Sequence, residues 1–248
     1  KLPEKWGSHL AFQVYGDPPV KEQKKDTARA EVKSKNAKKG KKESEKNGYN
    51  LIVTDLILNK QDTFPFVKEY IFAEETKKLL FSSTGKDSSF MPGVYLLDLS
   101  SGNLSHMCRG KGEYKNLALN KTGSMAVFLA DRDTTKERVR PIELMFWKEG
   151  QDSARVLAHN KFSFLTKGRI MSEHFKPYFS ENAKILFFGL APTPVLQDTL
   201  LLPEEIVNVE VWNYKDKRLY TQQNARLKED LKKSYQIAYL IEIGRAHV

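Results

Sequence analysis

The ten residues Leu119-Asn120-Lys121-Thr122-Gly123-Ser124-Met125-Ala126-Val127-Phe128 decide the fold, because the same phrase recurs three more times. The phrase has a small fifth residue, here Gly123, and closes on three consecutive apolar residues. All twelve closing positions are apolar in a chain that is 40% hydrophobic, a match that chance rarely produces. The other three copies are Pro3 to Phe12, Phe72 to Phe81 and Phe179 to Phe188.

A polar turn before a short apolar run is typical of a strand that is buried on both faces, since a half-exposed strand would alternate. A second, mostly apolar element follows each phrase and leads into another polar turn. The sequence therefore repeats a unit of strand, loop, strand and hairpin turn. The four second elements are Leu51 to Asp55, Val94 to Asp98, Leu144 to Lys148 and Val209 to Asn213.

The phrase ends, Phe12, Phe81, Phe128 and Phe188, lie 69, 47 and 60 residues apart. Sheet repeats of about 40 to 50 residues indicate β-propeller blades, and loops absorb insertions at a small entropic cost. We therefore expect an all-β chain, a partial β-propeller of about four to five four-stranded antiparallel blades, with Tyr235 to Ile241 opening another blade. A sandwich or an open barrel also fits short strands, but neither requires two phrases to recur in the same order.

The chain also resembles known propellers. Its phrase is similar to the repeat of TolB-like propellers, and longer segments resemble the N-terminal propeller of the prolyl-oligopeptidase family of serine peptidases (prolyl oligopeptidase and dipeptidyl peptidase-like), in the form found in Bacteroidetes-type bacteria. The resemblance covers roughly residues 49 to 241. Its segments are Gly93 to Leu99, Gly110 to Leu117, Val127 to Lys136, Val209 to Asp216 and Arg226 to Tyr235.

The resemblance implies a larger enzyme in which the propeller caps a C-terminal α/β-hydrolase domain with a Ser-Asp-His triad. This chain lacks the Gly-x-Ser-x-Gly turn that would expose the nucleophile, so we assign no catalytic residue and expect the fragment to be inactive alone. It is expected to restrict substrate access and to contact its own hydrolase domain, with peptides as the parent's substrates. The alternative is a stand-alone TolB-like propeller that acts as a protein-interaction scaffold. A periplasmic or secreted location follows from the resemblance alone.

Positive charge is concentrated in one segment. The chain carries a net charge of +10, of which residues 21–47 contribute +6 through eleven Lys or Arg and five Asp or Glu. We interpret residues 18–48 as a disordered Lys-rich loop inside the first blade, because they cannot bury enough apolar surface to offset chain entropy. The segment lacks the aromatic platforms of single-strand binders, so no specific nucleic-acid partner is predicted, although contact with a polyanion or a membrane surface remains a third hypothesis.

The ends suggest that the sequence is a fragment. Residues 243–248 can be back-translated into the start of a common sequencing adapter, so we interpret residues 242–248 as an artefactual tail. Residues 1–241 then form the propeller fragment. The sequence has no run of 18 apolar residues, and no transmembrane segment is predicted.

Candidate site residues are few, and we predict no metal site and no cofactor site. Cys108 is the only cysteine and is predicted to be a small core residue. The histidines show no pairing at metal-ligand spacing and are interpreted as packing or surface residues. They are His9, His106, His159, His174 and His247.

Two acidic pairs are candidates for holding a peptide's N-terminal amine, a role that some members of the resembled family give to propeller glutamates. Glu74-Glu75 falls in a repeat turn and Glu204-Glu205 follows Pro203, so turn and helix-start chemistry accounts for both. Trp147 and Trp212 occupy equivalent strand positions and are predicted to pack between blades.

Two further patterns concern the surface. Leu227 and Leu231 lie four apart among charges, which indicates a short helix over Gln222 to Lys233 that links blades, with Glu229 and Lys233 paired. Asn103 and Asn120 fit the glycosylation acceptor pattern but lie in turns that favour Asn for structural reasons.

Overall fold

The protein is described here from a computed structural model. The structure describes residues 1–14, 47–85, 90–135, 137–160, 168–196, 213–242 and 245–247. The Lys-rich loop expected at 18–48 therefore lies outside the described residues apart from its last two positions. Glu204-Glu205 and Trp212 lie outside them as well, so their predicted roles stay predictions.

The described chain is built from antiparallel strands and one helix. Its strands and helix are β1 (His9–Val14), β2 (Tyr49–Asp55), β3 (Lys60–Phe72), β4 (Lys78–Ser83), β5 (Gly93–Asp98), β6 (Leu104–Arg109), β7 (Glu113–Leu119), β8 (Met125–Asp131), β9 (Glu143–Lys148), β10 (Arg155–His159), β11 (Arg169–Met171), β12 (Tyr178–Phe179), β13 (Ile185–Pro192), α1 (Tyr220–Asp230), β14 (Tyr235–Leu240) and β15 (Arg245–His247).

The strands form three sheets. The first has the order β1-β2-β3-β4-β5-β6 and the second the order β7-β8-β9-β10. In the third, β13 pairs with both β11 and β12 on one side and with β14 on the other, and β15 pairs with β14. No helix of the described part is both long enough and apolar enough to cross a lipid bilayer.

The six-stranded sheet holds two repeat units that share β3. Phe66 has a φ of 58°, and the pairing of β3 with β4 shifts register between Val67 and Glu69. The part of β3 before this bend pairs with β2, whereas the part after it pairs with β4. β3 is thus the outer strand of unit one and the inner strand of unit two, and the described chain contains four consecutive units.

All four phrases end in equivalent strands, as the sequence predicts. The closing triplets lie in β1, β4, β8 and β13. β4, β8 and β13 are the second strands of their units counted from the inside, and β1 takes the corresponding place next to β2 at the edge of the first sheet. Three of the four second elements also match, as β2, β5 and β9. The fourth, Val209 to Asn213, lies almost wholly outside the described residues.

The prediction for Tyr235 to Ile241 was wrong. This segment does not open a new blade, because it forms β14 and pairs along its whole length with β13 in the fourth unit. The helix predicted at Gln222 to Lys233 is present as α1 but lies within this unit instead of linking blades. Lys233 contacts Asp230 rather than Glu229. The sequence pattern correctly identified a helix and a strand in this region. Their position in the fourth unit is determined by strand pairing between segments that are distant in sequence.

Burial between neighbouring units explains why the closing triplets of β4 and β8 are apolar throughout. In β4, Leu79 and Phe81 pack with residues of unit one, whereas Leu80 packs with residues of unit three. In β8, Phe128 faces unit two and Val127 faces unit four. Each of these five side chains is fully buried. Sheets that pack face to face in sequence order, with the second strand sandwiched on both sides, make this chain a partial β-propeller.

Strand direction gives the arc two different faces. Within units two to four the inner and second strands are joined by a short turn, and in each unit the third and outer strands are joined by a hairpin on the same side. We call this side the tight-turn face. The second and third strands are joined on the opposite side, the long-loop face, by connections that span residues 15–48, 84–92, 132–142 and 193–234.

Candidate functional site

The inner strands carry a row of alternating charges at their long-loop ends. Lys68 Nζ of β3 lies 3.1 Å from Glu113 Oε1 of β7, and Lys115 Nζ lies 3.3 Å from both Glu113 Oε2 and Glu173 Oε2. Glu173 precedes β12, so the row crosses units two, three and four. We call Lys68, Glu113, Lys115 and Glu173 the inner charge row.

Electrostatics within the row favour the charged forms. Burial raises the pKa of Glu113, but the ammonium groups of Lys68 and Lys115 outweigh it and lower that pKa overall. Burial lowers the pKa of Lys115, and the carboxylates of Glu113 and Glu173 more than compensate. Glu113 and Lys115 are thus each stabilised in the charged form by neighbours of opposite sign.

A β-bulge positions the third unit against the fourth. Asn116 has a φ of 55°, and the pairing of β7 with β8 shifts register between Lys115 and Ala118. The turned backbone lets Asn116 Nδ2 donate to the carbonyl of Glu173 at 2.9 Å. Asn tolerates this left-handed conformation better than most residues, and such bulges commonly re-aim a side chain. The inner strands are thus fixed relative to one another by polar contacts.

A pocket opens between the inner strands at the tight-turn face. Its volume is about 540 Å³. Apolar and charged residues both line it, and the charged ones are Glu74, Lys121, Lys176 and Glu181. We call this cavity the inner-strand pocket. Its apolar wall consists of Ile71, Ala118, Leu119, Pro177, Tyr178 and Phe179.

Consecutive turns on the tight-turn face bond to each other. Lys5 of the first turn lies 2.9 Å from Glu75 Oε1 of the second. Thr76 Oγ1 then donates to the carbonyl of Thr122 in the third turn at 2.8 Å. Lys121 Nζ of the third turn lies 3.3 Å from Glu181 Oε1 of the fourth. These contacts, the turn relay, connect all four units.

Ser8, His9 and Asp55 lie together but do not form a catalytic triad. Ser8 Oγ is 2.9 Å from His9 Nδ1, whereas His9 Nε2 is 3.6 Å from Asp55 Oδ2, which is too long for a hydrogen bond. Asp55 Oδ1 already accepts the amides of Ile57 and Leu58. Burial lowers the pKa of His9. The arrangement stabilises a hairpin.

Most residues singled out from the sequence have structural roles. Cys108 is a buried core residue, as predicted, and burial raises the pKa of its thiol. Trp147 packs between units two and three, as predicted, and donates from Nε1 to the carbonyl of Gln151 at 2.8 Å.

The polar residues singled out in the turns also have structural roles. The carboxylates of Glu74 and Glu75 form ion pairs with Lys5 of the neighbouring turn. The Asn120 amide is buried and bonded within its own turn.

His9, His106 and His174 each have different surroundings. His9 is buried beside Trp6, and His106 lies against Tyr95 with ring centroids 4.4 Å apart. His174 Nε2 is 3.9 Å from Glu173. Among the described residues, no three His, Cys, Asp or Glu side chains are grouped so that they could hold a metal ion.

Sequence reasoning missed the inner charge row and the inner-strand pocket. The local signal was weak: Glu113 and Lys115 alternate with apolar residues as on any half-exposed strand. Lys68 and Glu173 lie far away in sequence, so nothing local pairs them with β7. Only the packing of inner strands brings these charges together.

The fold and its site define the class of the protein as a β-propeller arc without an assembled catalytic centre among its described residues. Comparison of the sequence with protein-family models and with curated proteins finds no match. Comparison of the structure finds similar solved proteins. They include TolB from Acinetobacter baumannii (12% identity, TM-score 0.42, covering 81% of this chain and 37% of that one).

Two archaeal structures are also similar. The β-propeller domain of the Trilobed protease from Pyrococcus furiosus has 9% identity and a TM-score of 0.41, with coverage of 81% of this chain and 49% of that one. The acylaminoacyl peptidase of Pyrococcus horikoshii has 10% identity and a TM-score of 0.41, with coverage of 82% and 28%. The chain spans less than half of each of these three proteins.

Proposed function

We propose that this chain is the non-catalytic propeller portion of a serine peptidase of the prolyl-oligopeptidase family, of the Bacteroidetes type. In this role it contacts a C-terminal α/β-hydrolase domain outside the present sequence and restricts the access of substrates to it. The observation that carries the proposal is the character of the long-loop face, which combines the joining points of the units with exposed apolar side chains.

Strand direction places the joining points on that face. The inner strand β7 runs toward the tight-turn face, and the outer strand β10 runs back to the long-loop face. Each whole unit therefore begins and ends at the long-loop face. A domain that follows a whole unit in the chain would be tethered there.

Large apolar side chains are exposed in connections that leave from the same face. Met91 is 53% exposed, Tyr214 91% and Leu219 71%. Val195 and Leu196 are exposed as well. Exposed apolar groups gathered on one face of a protein are typical of an interaction surface, and here they support a contact with another domain.

Restriction of access would come from the inner strands. The inner charge row connects the inner strands of units two, three and four near the long-loop face through ion pairs of 3.1 to 3.3 Å. A folded protein could not pass between inner strands that are connected in this way. Peptides are smaller and could reach the hydrolase domain by passing around the inner strands. The role is steric selection.

One experiment tests the assignment of the class. The purified chain should hydrolyse no prolyl or alanyl chromogenic peptide and should not react with a fluorophosphonate probe, because the part of the chain that the structure describes offers no activated nucleophile. The longer natural protein should do both. A Ser8→Ala variant serves as the control, since Ser8 contacts an imidazole.

Two outcomes would contradict the proposal. Labelling of a serine in the folded chain faster than in denatured chain would show an unrecognised nucleophile. A natural parent that does not react would refute the peptidase role.

The second candidate function is a stand-alone TolB-like propeller that acts as a protein-interaction scaffold. The exposed apolar residues Leu56, Ile57 and Leu58 on the opposite face favour it, because a propeller that only caps a hydrolase would not need them. An unreactive parent that binds another protein through this face would support this function.

A further inference from the structure

Of the six sulfur atoms in this chain, five from methionine and one from cysteine, that of Met91 is the most accessible to solvent. All six residues belong to the described part of the chain, and Met91 is 53% exposed. Met125 is partly buried against the core that joins units three and four. The other four are fully enclosed in the core, namely Met107, Cys108, Met145 and Met171.

The thiol of Cys108 does not compete with Met91 for an oxidant. Cys108 is buried, and its Sγ donates to Tyr114 Oη at 3.6 Å. Burial raises the pKa of the thiol, so the reactive thiolate is disfavoured. A peroxide in solution therefore meets the thioether of Met91 before it meets a thiolate.

Met91 lies in the β4–β5 connection on the long-loop face, and its backbone is held on both sides. Tyr95 Oη donates to the carbonyl of Met91, and the amide of Gly110 donates to the carbonyl of Pro92 at 3.1 Å. A Cβ added at Gly85 would overlap the backbone of Met91 and Pro92, so the chain before the connection packs directly against its end. The exposure of Met91 is therefore a fixed feature of this connection.

The residue before Met91 packs into the protein. The ring of Phe90 stacks on that of Tyr95 with centroids 4.6 Å apart, and it also packs against the core between units one and two. Met91 is exposed while its neighbour Phe90 fills this role in the core. An oxygen added to the sulfur of Met91 would therefore meet solvent and leave the core unchanged.

We propose that Met91 is a reversible oxidation site at which hydrogen peroxide weakens the contact of the long-loop face with another domain, an inference that rests on the proposed function. The sulfur attacks one oxygen of the peroxide, the O–O bond breaks, and a proton moves to the leaving oxygen, which departs as water. The sulfur loses two electrons to the peroxide and becomes a sulfoxide. A methionine sulfoxide reductase reverses the change with a dithiol, which becomes a disulfide as the oxygen leaves as water.

The effect on the contact follows from the polarity of the product. A thioether packs favourably against apolar groups, whereas a sulfoxide is polar and accepts hydrogen bonds. Met91 shares the long-loop face with the exposed side chains of Tyr214 and Leu219. A domain that covers this face would enclose the sulfoxide oxygen without a donor placed for it, which weakens the contact by about tenfold.

The first test is a time course of the 248-residue chain in dilute hydrogen peroxide, followed by mass mapping of its peptides. Met91 should be oxidised at least about tenfold faster than each of the other methionines, with the melting temperature unchanged. Met91→Leu keeps an apolar side chain of similar size and should lose the fast reaction. The matched control Met125→Leu should retain it.

The second test uses the longer natural protein, in which a domain contact would cover Met91. Its Met91 should be oxidised more slowly than Met91 of the 248-residue chain. Met91→Gln introduces a polar group in place of the thioether and should accelerate amide hydrogen exchange in residues 213–219 of the same face. Met91→Leu is the control and should leave that exchange unchanged.

Four results would overturn the inference. Two concern the site: oxidation of a second methionine as fast as Met91 in the folded chain, or unfolding caused by oxidation of Met91 alone. Two concern the contact: equal oxidation rates of Met91 in the chain and in the longer protein, or equal exchange in Met91→Gln and Met91→Leu. The fluorophosphonate probe tests the peptidase role separately, so its failure and the failure of this inference are distinguishable.

Discussion

The tight-turn face and the long-loop face are built from the ends of the same strands, yet they differ in how tightly they are organised. Turns of a few residues on the first face bond to one another across all four units through the turn relay. The connections between second and third strands on the second face are long, and Met91, Tyr214 and Leu219 within them are exposed. The difference shows that the length of a connection is related to its role. Short turns contact the neighbouring units and stabilise the arc, whereas long connections provide surface for contacts with other molecules.

Gly123 allows the closest approach in the turn relay, so its substitution should have the largest effect. Its φ is 63°, and an added Cβ would lie 3.1 Å from Ala73 Cβ, Lys78 Cδ and Thr76 Oγ1. Gly123→Ala combines left-handed strain with crowding between units, and should lower the free energy of unfolding by about 2 kcal/mol or more. Urea denaturation measures this change.

Gly102→Ala is the matched control for that variant. Gly102 also has a positive φ, of 74°, but nothing lies near its added Cβ. This change should therefore cost only the backbone strain, about 1 kcal/mol. Equal losses for both glycines would mean that close packing between the turns contributes nothing to stability.

Ala183 stands in the fourth turn where the third turn has Gly123. Its φ of 54° is strained for alanine, and Ala183→Gly should relieve that strain. We expect stabilisation of up to about 1 kcal/mol, reduced by the greater freedom of glycine in the unfolded chain. A higher melting temperature would show this, whereas clear destabilisation would mean that the Ala183 methyl group contributes packing that outweighs its strain.

Arg140 should act locally, because it organises a connection on the long-loop face. Its guanidinium donates to Asp131 from Nε at 2.6 Å and from Nη2 at 2.8 Å, and to Asp133 from Nη1 at 3.1 Å. Arg140→Ala should accelerate amide hydrogen exchange in residues 132–135 and 137–142 with little change in melting temperature. Arg140→Lys, which keeps the charge but loses the bidentate geometry, should give an intermediate rate.

A drop in melting temperature as large as that of Gly123→Ala would contradict the contrast between the faces. It would show that the β8–β9 connection contributes to the stability of the whole arc and not only to its own local structure.

His9 provides the smallest predicted effect, a dependence of stability on pH. Burial lowers its pKa in the folded protein, so the unfolded chain binds a proton at a higher pH than the folded one does. The contribution of His9 to the free energy of unfolding is therefore present above the unfolded pKa of about 6.5, and it is lost as the pH falls through the lower pKa of the folded protein. Asp55, Lys77, Ser8 and Trp6 face the ring and set the size of the shift.

Denaturation at several pH values between about 7.5 and 5 measures this effect. His9→Gln removes the titrating group and should flatten the slope in that window. A slope that is unchanged in the variant would assign the pH dependence to other groups.

The sequence by itself determined the repeat. The apolar closing triplets, such as Ala126-Val127-Phe128, predicted strands buried on both faces, and the structure shows those of β4 and β8 between neighbouring units. The prediction of burial fails for Phe12 of the first triplet, which is 37% exposed in the edge strand β1. Cys108 and Trp147 were also predicted correctly, since burial of small and large apolar groups follows from local pattern. Such features depend on residues close together in the chain.

Only the tertiary structure determined the features that depend on residues far apart in the sequence. The pairing of β14 with β13 overturned the expected start of a new blade, because strand partners separated by a 42-residue connection leave no local signal. The inner charge row and the inner-strand pocket likewise draw on three units at once. Hydrophobic periodicity reports which face of a strand is buried, whereas only packing between strands determines which charges meet and where a cavity remains.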